Sequence, residues 1–395
     1  MVLFFLDFFS RSLGWKIPAV FSYNSTRMIF AALTSLILTI VLGPFFIRKL
    51  YGLKTGQSIR VEDCPLLAEL HGKKKDTPTM GGILILFSML IALILWMDLK
   101  SAFTLILFFT TVTLGWIGGI DDYLKMKFKN SKGLRAKKKL FFQVLIATLI
   151  GLYLIWPFFT EIVHFGNWFI PPSAREGTTT LSMQDYMGRY YLPFLKDPLF
   201  VLKGGLLLLG IFFAIVVITG TSNAVNLTDG LDGLAAGSLV LVSSTLSAFA
   251  FLSSNSEIAK YLNILYIEGS GEIAVYLCAL SGACLGFLWY NGYPAQIFMG
   301  DTGSLALGGI IGVAAVLLRR EVLLAIVGGI FVAEAISVIL QVGSFKLRKG
   351  KRIFLCTPLH HHFEYLGWPE TKIVLRFWII GLILAVIGLA SLKMQ

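Results

Sequence analysis

Apolar runs of near twenty residues recur along this chain, at about 28–47, 80–97, 103–120, 140–157, 201–220, 234–253, 272–289, 304–318, 322–342 and 374–392. A helix rises about 1.5 Å per residue, so a run of that length matches the roughly 30 Å hydrocarbon core of a bilayer. Few folds other than a bundle of membrane-crossing helices can bury ten such runs. The charge content agrees: 14% of the 395 residues are charged, against roughly 25% in a soluble domain. No repeat or low-complexity stretch interrupts the pattern, and no segment is long enough for a second domain. The expectation is an all-α polytopic membrane protein, ten transmembrane helices in a single domain over 1–395.

The opening "MVLFFLDFFSRSLGWK" has no basic start, carries Asp7 within a short apolar stretch and lacks a small-residue cleavage site, so it does not read as a signal peptide. Residues 1–27 are expected to lie at the membrane surface as an outer-face amphipathic segment. The four cysteines, Cys64, Cys278, Cys284 and Cys356, form no CxxC pair and no metal-ligand spacing, and read as unpaired thiols.

Lysine and arginine gather on cytoplasmic loops. The loops after the odd-numbered runs, with the adjoining helix ends, hold the clusters Arg48–Lys75, Lys125–Lys139 and Lys346–Arg376, 22 of the 34 basic residues. Those loops are therefore assigned to the cytoplasm and both termini to the outside. The net charge of +12 is then mainly a topology signal, with some attraction to anionic headgroups. It is spread over membrane loops, which excludes a nucleic-acid-binding surface as the main reading.

This topology places five polar motifs on one face: "KKKDTPTMGG" (73–82), "GGIDDYLK" (118–125), "NAVNLTDGLDG" (223–233), "NGYPAQIFMGDTGS" (291–304) and "CTPLHHHFE" (356–364). The outer loops carry scattered charges and one long Pro- and aromatic-containing insert at about 158–199. Asp121 and Asp122 close a helix at its negative dipole end, where acids are disfavoured by a few tenths to about 1 kcal/mol each. Adjacent carboxylates also raise each other's pKa unless a cation is near; Lys125 compensates in part and a divalent metal would do so further. Asn223, Asn226, Asp229 and Asp232 sit in a membrane-flanking turn without a basic partner. Turn formation by Asp-Gly and capping by Asp232 account for some of them and leave the others for a ligand.

Asp301 has a capping alternative at the start of the eighth run, and the flanking Gly300 and Gly303 permit close approach of a phosphate or metal-bound water. Phe298 reads equally as an interfacial aromatic or a base-stacking platform. Thr77 and Pro78 resemble an N-cap and first helical position, and with Lys73–Lys75 ahead of them and Thr79 behind they make an anion site. His360, His361 and His362 cannot all face one way on a helix. With hard oxygen donors nearby and no thiolate they suit phosphate more than a transition metal. Carboxylates, amides, lysines and helix N-termini at a lipid–water boundary suit Mg²⁺ and a diphosphate, the setting of phosphoryl transfer between a nucleotide and a lipid phosphate.

The stretches "DTPTMGG", "DDYLK", "NAVNLTDGLDG", "FMGDTGSLALGG", "VGSFKLRKGKRIF", "PLHHHFE" and "GWPETKIVLRFWII" resemble, over essentially the whole chain, the polyprenyl-phosphate N-acetylhexosamine-1-phosphate transferases. The triple histidine points to the bacterial branch using UDP-N-acetylmuramoyl-pentapeptide. The resemblance implies transfer of phospho-N-acetylmuramoyl-pentapeptide from that nucleotide to undecaprenyl phosphate, with Mg²⁺, by a homodimer in the bacterial plasma membrane with its cleft facing the cytoplasm. It implies Asp301 as the metal ligand, Asp121, Asp122 and His361 in catalysis, and Lys74, Thr79, Lys125, Asn223, Asn226, Asp229, Asp232, Phe298, His360 and His362 in substrate binding. Asp76 stands where a glycine is usual, and the 158–199 insert is longer than usual. Two rivals are a transferase of the same superfamily acting on UDP-N-acetylglucosamine, which the histidine loop disfavours, and a proton-coupled transporter. A transporter keeps ionisable groups near the midplane. Glu334, inside the ninth run, is the one acid that favours the transporter, and reads more simply as a buried partner of another polar group.

Overall fold

The computed structural model describes residues 12, 18–52, 77–128, 133–177 and 179–393; Cys64, Lys74 and most of the expected surface segment 1–27 lie outside them. In chain order the helices are α1 (Asn24–Gly52), α2 (Gly82–Trp96), α3 (Ala102–Lys127), α4 (Ala136–Ile155), α5 (Pro157–Val163), α6 (Met183–Met187), α7 (Leu207–Thr228), α8 (Leu234–Ser253), α9 (Ser256–Tyr261), α10 (Gly271–Asn291), α11 (Gly300–Leu317), α12 (Glu321–Val327), α13 (Gly329–Leu347), α14 (Leu359–Tyr365) and α15 (Glu370–Ala390). Five short strands accompany them: β1 (Ala174–Glu176), β2 (Thr179–Leu181), β3 (Arg189–Tyr190), β4 (Phe200–Val201) and β5 (Tyr266–Ile267).

Among the described residues nine helices are long and apolar enough to cross a membrane. The second expected span is the short one. Helix α2 has 15 residues, about 22 Å at the usual rise. Residues 78–81, expected to open this helix, instead form a non-helical turn beside 298–299: Met80 has φ +74°, Phe298 N donates to Pro78 O, and Gly81 N and Gly82 N donate to Phe298 O and Met299 O, each at 2.8 Å. Thr77 and Pro78 are therefore not its N-cap and first turn. Non-helical backbone at this depth needs protein partners, and 298–299 supplies them.

The run at 322–342 is also divided, into α12 and α13 at Gly328-Gly329. A Cβ on Gly328 would stand 2.8 Å from Leu324 O and one on Gly329 2.8 Å from Leu384 Cδ1 of α15. Two adjacent residues of poor helix propensity thus break the helix where α15 packs against it.

Burial orders the bundle. In α11, 89% of the spanning window is buried, against 22% in α1, so α11 is the central post and α1 faces lipid along most of its length. Lipid tails are as apolar as leucine, so close backbone packing has to hold these helices together. Gly308 and Gly312 of α11 provide it: a Cβ at either would come within 2.6 Å and 2.3 Å of Thr221 on α7. The insert folds over the opposite end from the five motifs. Strand β1 pairs antiparallel with β2 and with β5, β3 pairs with β4, and Arg319 Nε in the α11–α12 turn donates to Arg189 O at 2.9 Å.

Candidate active site

The C-terminal ends of α3 and α7 and the N-terminal ends of α2, α4 and α11 converge at one end of the bundle. Gly118 lets α3 touch the start of α11, where a Cβ would meet Asp301 O at 2.2 Å. Gly300 has φ +73° and a Cβ there would stand 2.8 Å from both Asp122 Oδ2 and Thr79 Oγ1, so only glycine fits this turn.

Three carboxylates meet there: Asp121, Asp122 and Asp301 offer oxygens all within 4.8 Å of one another. Their surroundings differ. Asp122 spends both oxygens on the start of α11, Oδ1 accepting from Asp301 N at 3.2 Å and Oδ2 from Thr302 N at 2.9 Å and Thr302 Oγ1 at 2.7 Å. It caps a helix from outside that helix, the task that was the alternative reading of Asp301. Asp301 lies within the first turn of α11 and points away, Oδ1 accepting from Asn226 Nδ2 at 2.8 Å and Oδ2 meeting Lys125 Nζ at 2.8 Å and Lys139 Nζ at 2.6 Å. Asp121 meets the same lysines through Oδ2, at 2.6 and 3.2 Å, and takes Leu134 N on Oδ1 at 2.7 Å.

Two ammonium groups thus face three carboxylates, an arrangement one charge short of balance. Packed carboxylates repel unless a cation is shared among them. Lys139 was missed by sequence reasoning because a lysine on that loop already satisfies the positive-inside pattern; its position one helical turn into α4 is the only signal that sets it apart.

The other expected residues are placed as follows. Asn226 serves Asp301 and also donates to Ser304 Oγ at 2.8 Å. Asp229 closes α7 with part of its surface open; burial first, then the carboxylates of Asp301 and Asp122, push it up to about 7. Asn223 Nδ2 donates to Gln143 Oε1 at 2.9 Å and to Thr219 O at 2.8 Å, directed at α4. Asp232 makes no side-chain cap on α8, which opens at Gly233 with φ +79°. Its Oδ2 accepts from Ala295 N at 2.9 Å while its own N–H donates to Glu370 Oε1 at 2.7 Å. Phe298 is half-buried, its backbone bound to residues 78 and 81.

The histidines diverge, as their adjacency requires. His360 is fully buried with Nδ1 3.1 Å from Glu334 Oε1, His361 Nδ1 lies 2.6 Å from Glu364 Oε2, and His362 Nδ1 accepts from Leu355 N at 3.2 Å. Glu334 does have the buried polar partner expected of it.

The fold and the cluster together define a multi-helix membrane protein with a carboxylate–lysine cluster at one end of its bundle. Residues 104–319 match Glycosyl transferase family 4, and residues 74–86, which include Lys74 and Thr79, match phospho-N-acetylmuramoyl-pentapeptide-transferase signature 1. The chain is 62% identical over 410 residues to the phospho-N-acetylmuramoyl-pentapeptide-transferase of Protochlamydia amoebophila, covering all of both chains. It is 46% identical to that of Desulfotalea psychrophila and 48% identical to that of Thermodesulfovibrio yellowstonii, covering 95% of each chain in both cases. The chain belongs to the phospho-N-acetylmuramoyl-pentapeptide-transferase family.

Proposed function

We infer that this protein transfers phospho-N-acetylmuramoyl-pentapeptide from the UDP-linked precursor to undecaprenyl phosphate, forming lipid I and releasing UMP. Family membership supports the reaction, and the shared coordination of Lys125 and Lys139 by Asp121 and Asp301 is the observation that carries the site. We further read ten spans, with α2 as the short one, both termini outside, the site at the cytoplasmic face of the bacterial plasma membrane, and a homodimer. The basic residues of the odd loops support that orientation.

The carboxylate trio fits a divalent cation: all donors are hard oxygens, which suits Mg²⁺, and the cluster holds one more acid than lysine. Asp301 and Asp121 would hold it, since both oxygens of Asp122 are committed to α11. When bound, Mg²⁺ would neutralise charge developing on the diphosphate as the phosphoryl group passes between oxygens. The chain's own residues do the positioning. Asp122 fixes the first turn of α11 and so aims Asp301. Asn226 holds the second oxygen of Asp301. Lys125 and Lys139 offer donors to the substrate phosphates, while Asp229 and Phe298 take the nucleotide-sugar side and His361 and His362 the diphosphate side.

Asp121 is assigned to orienting the lipid phosphate. A phosphate monoester has its second pKa near 6 and is mostly ionised at neutral pH, so no base is needed to create the nucleophile. UMP release in detergent, from UDP-N-acetylmuramoyl-pentapeptide with undecaprenyl phosphate, tests the reading. Wild type should release UMP only with Mg²⁺ and Asp301→Asn should not. Turnover of UDP-N-acetylglucosamine alone would overturn it in favour of the related transferase.

A further inference from the structure

Gln143 is set apart from its surroundings in α4. The preceding Phe141 and Phe142 are exposed, whereas the Gln143 side chain is buried. An amide withdrawn from water costs free energy unless both of its ends are paired, and here both are. Gln143 Oε1 accepts from Asn223 Nδ2 at 2.9 Å, and Gln143 Nε2 donates to Ser222 Oγ at 3.0 Å. Ser222, itself fully buried, donates to Leu305 O of α11 at 2.8 Å. Helix α7 comes this close to α11 because Gly308 has no side chain: a Cβ there would stand 2.8 Å from Ser222 Cα.

These residues lie one helical turn from the charged cluster. Gln143 follows Lys139, Ser222 precedes Asn226 and Leu305 follows Asp301, each by four residues, the spacing that stacks two residues on one face of a helix. At the cluster Lys139 Nζ meets Asp301 Oδ2 at 2.6 Å, and Asn226 Nδ2 donates to Asp301 Oδ1 at 2.8 Å. The contacts therefore close a ring in two tiers, to which α4, α7 and α11 each give one residue in the charged tier and one in the neutral tier. An ammonium group on a flexible stem takes whatever oxygen is near and fixes no orientation. The amide of Gln143, with one donor side and one acceptor side both engaged on α7, does fix one.

Resting on the reading of the carboxylate cluster as the transferase site, we propose that Gln143 is a positioning residue: its amide, held by Ser222 and Asn223, sets the rotation of α4 that brings Lys139 to Asp301 and Asp121. Lys125 reaches the same acids from α3 and does not depend on this bracket. Asn223, whose Nδ2 is bonded to Gln143 Oε1 and Thr219 O, holds α4 and acts at the site through Lys139.

The test labels the full chain in detergent with limiting acetic anhydride and reads acetylation of Lys139 and Lys125 by mass spectrometry. Gln143→Met keeps the length of the side chain and removes both hydrogen bonds. Acetylation of Lys139 should rise severalfold over wild type, and that of Lys125 should not. A bundle merely loosened would raise both, since the two lysines share Asp121 and Asp301. Turnover by Gln143→Met should fall about tenfold, the loss expected of a misplaced group. In a Lys139→Met background the same substitution should cost no more than about twofold further, because both act through one ammonium group.

Unchanged acetylation of Lys139 in Gln143→Met, a parallel rise at Lys125, or losses that multiply in the double variant would overturn the proposal. Should Gln143→Met fail to fold, Ser222→Ala, which trims a single hydroxyl from the bracket, decides it by the same readouts. A wild type that releases no UMP from UDP-N-acetylmuramoyl-pentapeptide would refute the transferase reading instead, and acetylation of Lys139 against Lys125 then decides the bracket.

Discussion

At one end of the bundle Glu272 accepts from Arg27 Nη1 at 2.6 Å and from the Asp98 amide at 2.9 Å; at the other, three carboxylates crowd around two lysines. The first arrangement pairs one acid with one base and joins α1, α10 and the turn after α2. The second shares each lysine between acids and leaves the acids in excess. Both are costly to desolvate, and a buried pair tends to break even against its desolvation cost. What separates them is the remainder. A closed pair needs nothing further, whereas a cluster one cation short has a use for one.

The largest effect expected from this contrast is at Asp301. Asp301→Asn should lower turnover about a thousandfold or more with unfolding temperature little changed, as UMP release and thermal unfolding will show. Glu272→Gln should do the reverse. It leaves Arg27 buried without its carboxylate, at a cost of about 3–5 kcal/mol, while turnover of the folded fraction stays within about twofold of wild type. Similar activity losses in both variants would break the comparison.

Asp122→Asn comes next. It removes a charged cap from α11, a change worth about 1–2 kcal/mol, and misaims Asp301, for which about a hundredfold loss of turnover is expected. Its apparent affinity for Mg²⁺ should fall alongside. Asp121→Asn sharpens the same point in another way: its activity should be low at about pH 6 and equally low at about pH 9, because the lipid phosphate, whose second pKa is near 6, needs no base. Recovery at the higher pH would assign Asp121 as that base.

The smallest effect is at Asp229, held up to about 7 from an ordinary 3.8. Between those values the folded chain binds a proton that the unfolded chain releases, so this group's contribution to stability is present in acid and lost as pH rises through about 7. Without added metal, Asp229→Asn should therefore melt slightly higher than wild type at about pH 8 and alike at about pH 4, read by thermal unfolding.

The ten apolar runs located the helices, because a bilayer sets their length. The acids at the end of α3 were legible as candidates because the helix dipole disfavours them there, and Asp301 because glycines on either side of it permit close approach of a ligand. The division of labour among those acids was not legible. Asp121 and Asp122 are adjacent and alike in sequence, and only the approach of α11 through Gly118 and Gly300 makes one a cap and the other a lysine partner. Lys139 and Gln143 were hidden for opposite reasons: one matched the loop-charge pattern, and the other is an isolated amide in an apolar run, which donates to Ser222 Oγ at 3.0 Å across the α4–α7 contact. The break between α12 and α13 depends on Leu384 of α15, which no local pattern encodes.

Binding of Mn²⁺, read by electron paramagnetic resonance in wild type, Asp301→Asn and Glu272→Gln, tests the central claim most directly. The cluster with excess acid predicts one bound ion in wild type and in Glu272→Gln, and none in Asp301→Asn at the same concentration. Undiminished Mn²⁺ binding by Asp301→Asn would contradict it.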